Sequence, residues 1–368
     1  MIYTADEYNK LPTLDQLLDN LKIMLSNQAV RHLSPIEPIV SGSKKFIVTR
    51  LMSGRYSFKP NISMQPALFR GESHWDEKNY SCCPSLLREA PRYVVQNLKY
   101  EELMIAMESH PLYRLFQDGI ELSNKMNLRM NNPYGIAMCY DQKTSLLSFT
   151  SDLEIASFYA CCERSENGMY QPILNENGNK KGILYVFNML VPFCMIPGLS
   201  SVGLQPFSRC GFQKAFALNL TPGQDLRNHR FVVGFVFRHE AKVSRSIYDQ
   251  FNSGMSLEPA DDILAKKAKE ICSSNIVSMT ALERNLKKNP TDNIDKNKTE
   301  IINKGFTISA ERNTEFTQSD LDGYYASSIN IWNQFCKDIV FSGRDANSLY
   351  EKLLNVPYTD KYNKYFTR

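Results

Sequence analysis

Apolar residues at Leu14, Leu17, Leu18, Leu21 and Met24 recur every three or four positions, a stripe that predicts an amphipathic helix over residues 12–26. The stretch that follows loses this rhythm. Pro35, Pro38, Gly42, Gly54, Pro60 and Pro66 punctuate it, and it reads as loop until the apolar run Ala67-Leu68-Phe69 predicts a strand. Helical spacing returns over residues 91–130, interrupted near Pro111. Short β-type runs then dominate, at Ser145–Thr150, Gly182–Phe193, Lys214–Leu220 and Arg230–Arg238, several of them rich in Val, Phe and Tyr. Helical segments lie between them at varying separations, so the βαβ rhythm of a doubly wound sheet is absent and an α+β fold is expected.

From about residue 256 the pattern turns helical. Pro259-Ala260-Asp261-Asp262 opens a run with Ile263, Leu264, Ala268, Ile271 and Cys272 at helical spacing, and Thr280 with Glu283 forms a candidate capping box. Residues 288–300 are polar and read as a mobile connection. Leu321, Tyr325, Ser328, Trp332, Phe335 and Ile339 mark a long helix with a buried face. The division expected is an N-terminal helix at 1–30, a mixed domain at 31–250 and a helical C-terminal region at 251–368, with no internal repeats.

Composition narrows the class without naming it. The chain has 368 residues, 43% hydrophobic and 22% charged, which suits a globular protein with a sizeable core. A net charge of +4 over this length is too small to argue for a nucleic-acid or membrane partner. The opening residues, Met1 to Tyr8, lack the basic patch and apolar stretch of a signal peptide, and no apolar run reaches membrane-spanning length. The nine cysteines include the adjacent pairs Cys82-Cys83 and Cys161-Cys162 and show no ligand-spaced CxxC repeats. A reduced, cytoplasmic chain without structural zinc is therefore expected.

Four blocks carry candidate chemistry: Leu68-Phe69-Arg70-Gly71-Glu72, Tyr80 to Arg88 (YSCCPSLLR), Thr144 to Ala160 (TSLLSFTSDLEIASFYA) and Arg209 to Phe216 (RCGFQKAF). In this order they resemble the FRG domain, a family named for its Phe-Arg-Gly signature and widespread in bacterial and phage proteins. The chain departs from the family's pattern where Pro133 precedes Tyr134-Gly135 in place of a histidine, in extra residues before Thr144, and in Ser148-Phe149 where aspartate and tryptophan are usual. A more distant resemblance, over roughly residues 65–240, is to ADP-ribosyltransferases of the Arg-Ser-Glu type. Arg70-Gly71 matches their first strand, Ser148-Phe149-Thr150-Ser151 the second, and Phe212-Gln213-Lys214-Ala215-Phe216 the third.

These resemblances imply an ADP-ribosyltransferase-like mixed sheet with surrounding helices. They also imply NAD as substrate, ADP-ribose transfer to a macromolecule or to water, and a toxin, phage-defence or stress role. The implied catalytic residues are Arg70, Thr150, Ser151 and Gln213; the implied NAD contacts are Phe69, Arg70, Gly71, Tyr134, Gly135, Thr150 and Arg209. The physical requirements agree. Arginine offers a fixed fork of donors for a phosphate or ribose oxygen, glycine lets the backbone approach a planar ring, and small hydroxyls position both. Cleaving the nicotinamide–ribose bond passes through an oxocarbenium-like state that favours a nearby carboxylate. Gln213 keeps the hydrogen bonds of that position without the charge, so an active transferase or NAD glycohydrolase and an inactive nucleotide-sensing or protein-binding module both stay open. Glu72, Asp152 and Glu154 are carboxylates near the motifs in sequence.

Several of these residues have plainer roles beside the chemical ones. Ser151-Asp152-Leu153-Glu154 is also a capping-box pattern, with Ile155, Phe158, Tyr159 and Cys162 on the buried side of the helix behind it. Arg209 and Gln213, four apart on an expected strand, share a face. Tyr134-Gly135 reads as a turn or as a ring stacked beside a ligand, and His74 as an acid–base group or a solvated loop histidine. Cys161 and Cys162 read as core, Cys82-Cys83 as a turn before Pro84, and no GxGxxG or phosphate-loop lysine motif is present.

Overall fold

The computed structural model describes residues 8–29, 45–51, 53–62, 67–76, 81–88, 94–129, 132–165, 168–175, 178–188, 196–289 and 293–368. The opening helix α1 (Leu14–Ala29) buries Leu14, Leu17, Leu21 and Leu25. Met24 faces outward instead, because the buried stripe advances by four at that turn and takes Leu25. Strands β1 (Phe46–Arg50) and β2 (Tyr56–Pro60) pair antiparallel where loop was expected, with Gly54 at φ 77° in the turn between them. Strand β3 (Ala67–Glu72) carries the Phe-Arg-Gly triplet.

Helices α2 (Val94–Ser109) and α3 (Pro111–Asp118) break at Pro111, which starts the second helix where its missing N–H costs nothing. A hairpin, β4 (Ile120–Ser123) and β5 (Met126–Leu128), then replaces the expected helical continuation. There follow α4 (Pro133–Cys139), β6 (Leu146–Thr150), α5 (Leu153–Cys161), β7 (Cys162–Arg164), β8 (Tyr170–Pro172) and β9 (Lys181–Asn188). Next are β10 (Leu199–Ser201), α6 (Ser208–Phe212), β11 (Ala215–Asn219), β12 (Val232–Arg238) and α7 (Ala241–Gln250). The remainder holds α8 (Ile263–Ser273), β13 (Ile276–Ser278), α9 (Met279–Lys288), α10 (Ile294–Asn303), β14 (Thr307–Ser309), α11 (Gln318–Lys337), β15 (Ile339–Val340) and α12 (Ala346–Leu354).

The chain thus mixes helices with several sheets. Strands β6, β11 and β12 fall within the expected β runs, and β9 covers part of another, whose residues 189–193 lie outside the described residues. The principal sheet is antiparallel throughout, in the order β10-β11-β6-β3-β9-β12. One face packs under α1 and α5 through Phe69, Leu184, Val186 and Phe158; the other holds Phe149, Phe187, Phe216 and Leu218. A second sheet, β15-β1-β2-β5-β4, brings residues 339–340 beside residues 46–47, with Phe46 opposite Ile339.

The C-terminal helices dock on α2. Its Glu101 and Glu102 are almost fully buried, and burying a carboxylate is tolerable only against cations. Arg284 and Lys288 meet Glu101 at 3.3 and 2.5 Å, and Arg312 meets Glu102 at 2.8 Å. Three local expectations are corrected here. Ser278, accepting from the Ala281 N–H, caps α9 in place of Thr280; residues 294–300 of the polar stretch belong to α10, capped by Asn293; and Ile339 lies on β15, past the end of α11.

Candidate functional site

Strands β3 and β6 meet at a single ladder pair, Phe69 opposite Thr150, although β3 pairs with β9 along its whole length. Beyond that pair the sheet parts. The Arg70 side chain fills the gap and donates from one terminal nitrogen to the Ser148 carbonyl at 3.0 Å and to the Ser148 hydroxyl at 2.9 Å. A guanidinium thus satisfies a backbone oxygen of β6 where strand pairing has ended. At this split lies a cavity of about 420 Å³, within the range of roughly 300–1,000 Å³ usual for ligand sites.

Phe69, Arg70 and Gly71 from β3, Thr150 from β6, and Gln213 all line this cavity. Ser151, Tyr134, Gly135 and Arg209 do not. Thr150 is buried, and its hydroxyl accepts from the Asp152 N–H at 3.1 Å. Asp152, rather than Ser151, caps α5 by accepting from the Glu154 N–H, and Lys214 pairs with Asp152 at 2.5 Å. Tyr134 stacks on Tyr100 with ring centroids 4.2 Å apart and planes at 5°, and Gly135 sits near the start of α4. Arg209 stands behind the cavity wall, with contacts to Asp141 at 3.3 Å and Glu258 at 3.1 Å.

The third motif is not a strand at its key residue. Arg209 lies in the short helix α6 and Gln213 is the residue that ends it, with the Gln213 N–H bonded to the Arg209 carbonyl at 2.9 Å. Lys214, at φ 45°, then turns the chain into β11. A separation of four residues shares a face on a helix as it does on a strand, so the pattern alone could not tell them apart. The Gln213 side chain makes no hydrogen bond among the described residues.

Arg70 is less free than the sequence implied. Its Nε and a terminal nitrogen reach Glu72 at 2.8 and 2.7 Å, so with the Ser148 contacts most of its donors are engaged. Burial by itself works against the charged guanidinium, but Glu72 and Cys82 outweigh it and hold Arg70 above its ordinary pKa. Cys82 donates to Glu72 at 3.3 Å, and burial pushes its thiol up to about 12, so it is no nucleophile. Gly71 serves packing: a Cβ there would lie 1.9 Å from the Ala156 carbonyl oxygen and 2.6 Å from the Ala160 nitrogen of α5. The Arg88 guanidinium, exposed on the rim, donates to the Cys83 carbonyl and makes no ion pair among the described residues. His74 is exposed, 3.5 Å from Glu163.

Two cavity carboxylates escaped the sequence motifs. Asp141 and Glu258 face the cleft, bridged by Arg164 and Arg209; Glu258 also accepts from Tyr170 at 2.8 Å and Tyr159 at 3.5 Å. Glu258 follows Asn252, Ser253 and Gly254, three consecutive residues at φ 48°, 59° and 91°. Non-glycine residues there cost on the order of 1–3 kcal/mol each. Gly254 is obligatory, since a Cβ would lie 2.7 Å from the Tyr170 ring. No local sequence signal links Glu258 to Arg70.

No family model, no curated protein and no solved structure matches the chain. Among the described residues there is no cluster of potential metal ligands, and no helix is long and apolar enough to cross a membrane.

Proposed function

We propose that the chain binds NAD or a related nucleotide in the cleft between β3 and β6, as an ADP-ribosyltransferase-like FRG protein acting at the nicotinamide–ribose bond and passing ADP-ribose to a macromolecule or to water. The observation that carries this is the convergence of Phe69, Arg70, Gly71, Thr150 and Gln213, drawn from three separated motifs, on one cavity. The nicotinamide ring of NAD is cationic. Tyr159, Tyr170, Glu72, Asp141 and Glu258 give that cavity aromatic faces and carboxylates suited to such a ring and to the positive charge that develops as its bond to ribose breaks.

A second reading, a nucleotide sensor without chemistry, is favoured by a specific observation. Gln213 is neutral, and each of the three cavity carboxylates is already paired with arginine. Incubation with NAD separates the two. Thermal stabilisation of about 2.7 kcal/mol at a hundredfold excess over Kd is expected for either, with release of nicotinamide only for the enzyme. Gln213→Glu is expected to raise that release by on the order of a hundredfold. Absence of any stabilisation by NAD refutes both readings.

A further inference from the structure

Glu72 is the carboxylate of this cavity with an oxygen to spare. Its Oε1 accepts from the Arg70 Nε at 2.8 Å, from an Arg70 terminal nitrogen at 2.7 Å and from the Cys82 thiol at 3.3 Å. Its Oε2 is buried and has no hydrogen-bond partner, although the side chain lines the cavity and is only 9% exposed. Glu258 differs: its two oxygens already take two arginines and two tyrosine hydroxyls, as many as a carboxylate accommodates. Tyr185, opposite Arg70 in the β3–β9 register, has a buried hydroxyl that is also without a partner. A charged oxygen shut away from water and unpaired is a costly arrangement, and a ligand bringing a donor removes the cost.

We propose that Glu72 turns its unpaired Oε2 into the cavity to receive a ribose hydroxyl of the bound nucleotide. Glu72 then supplies a ribose acceptor from β3, beside the position of Gln213 in the same cavity. This rests on the NAD reading and adds to it the residue that selects for ribose. Arg70 becomes the group that holds Glu72 in place.

The experiment measures affinity of the full chain for NAD and for its analogue lacking the 2′-hydroxyl on the nicotinamide-bearing ribose. Wild-type protein is expected to prefer NAD by about ten- to a hundredfold, the worth of one hydrogen bond to a charged group. Glu72→Gln is expected to reduce that preference below about threefold, while Gly323→Ala, which does not line the cavity, preserves it. Should Glu72→Gln not fold, Glu72→Asp replaces it, keeping the charge beside Arg70 but drawing the oxygen back by one methylene. Wild-type protein that binds NAD without discriminating, or a folded Glu72 variant that discriminates as wild type does, overturns this proposal alone. Failure of wild-type protein to bind NAD overturns the NAD reading and this proposal together.

Discussion

Gly71→Ala tests whether the glycine of the Phe-Arg-Gly triplet is there for the ligand or for the fold. The added methyl would lie 1.9 Å from the Ala156 carbonyl oxygen, 2.6 Å from the Ala160 nitrogen and 2.8 Å from the Ala160 Cβ. Two of these are backbone atoms of α5, which no rotamer change can move aside. The helix itself has to withdraw from β3, loosening Phe69, Ile155, Phe158 and Leu184 in the same apolar cluster. Overpacking of this kind costs about 1–3 kcal/mol, and the upper end or more is expected where the obstacle is backbone. With unfolding entropy of roughly 2.1 cal/mol/K per residue, a chain melting as one unit would lose about 4 °C for 3 kcal/mol. Gly323→Ala is the control. It lies in α11 with nothing within 4 Å of an added Cβ, so alanine should stabilise by roughly 0.5–1 kcal/mol. Urea titration of both variants gives the comparison. Gly71→Ala at wild-type stability, with loss confined to nucleotide affinity, would refute the packing argument.

Stability should also fall on the acid side because of His110. Its imidazole is buried among Phe207, Phe316 and Tyr324, and burial lowers its pKa to about 3 from 6.5. The unfolded chain gains a proton at His110 below pH 6.5 that the folded chain refuses until about pH 3, so stability is intact above that window and lost within it, at up to about 1.4 kcal/mol per pH unit. His239, lowered to about 4 by burial, adds in the same direction. His110→Phe should flatten the slope of urea midpoints between pH 6.5 and 4; an unchanged slope would assign it to other groups. Trp332→Ala should cost about 3–5 kcal/mol, since the ring is fully buried against Phe335 and Phe366 and its N–H reaches the Leu353 carbonyl at 2.9 Å. Denaturant unfolding measures this, and a loss below 1 kcal/mol would mean the C-terminal cluster contributes little to folding.

Elements whose signals are local were legible in the order of the residues. The Leu14-to-Leu21 stripe, the break at Pro111, the strand before Arg70, the β runs around Phe149, Phe216 and Phe235, the start of α8 at Asp262 and the periodicity through Trp332 all needed only side-chain spacing and caps. They were legible because a helix or strand exposes its period in consecutive residues. The motif blocks likewise named Arg70, Thr150 and Gln213, which the fold brings to one cavity. Tertiary structure alone decided the rest. Strand β1 exists by pairing Phe46 with Pro60 and with Ile339, and no window of sequence contains that second contact. Whether Gln213 ends a helix or sits on a strand depended on a left-handed residue at Lys214 that spacing cannot reveal. Glu258 reaches the cleft through the turn at Asn252–Gly254, and Arg70 is tied to Ser148 because β3 and β6 part after one pair. Sequence supplies the chemical groups, but which carboxylate keeps a free oxygen is settled by every neighbour that could have taken it.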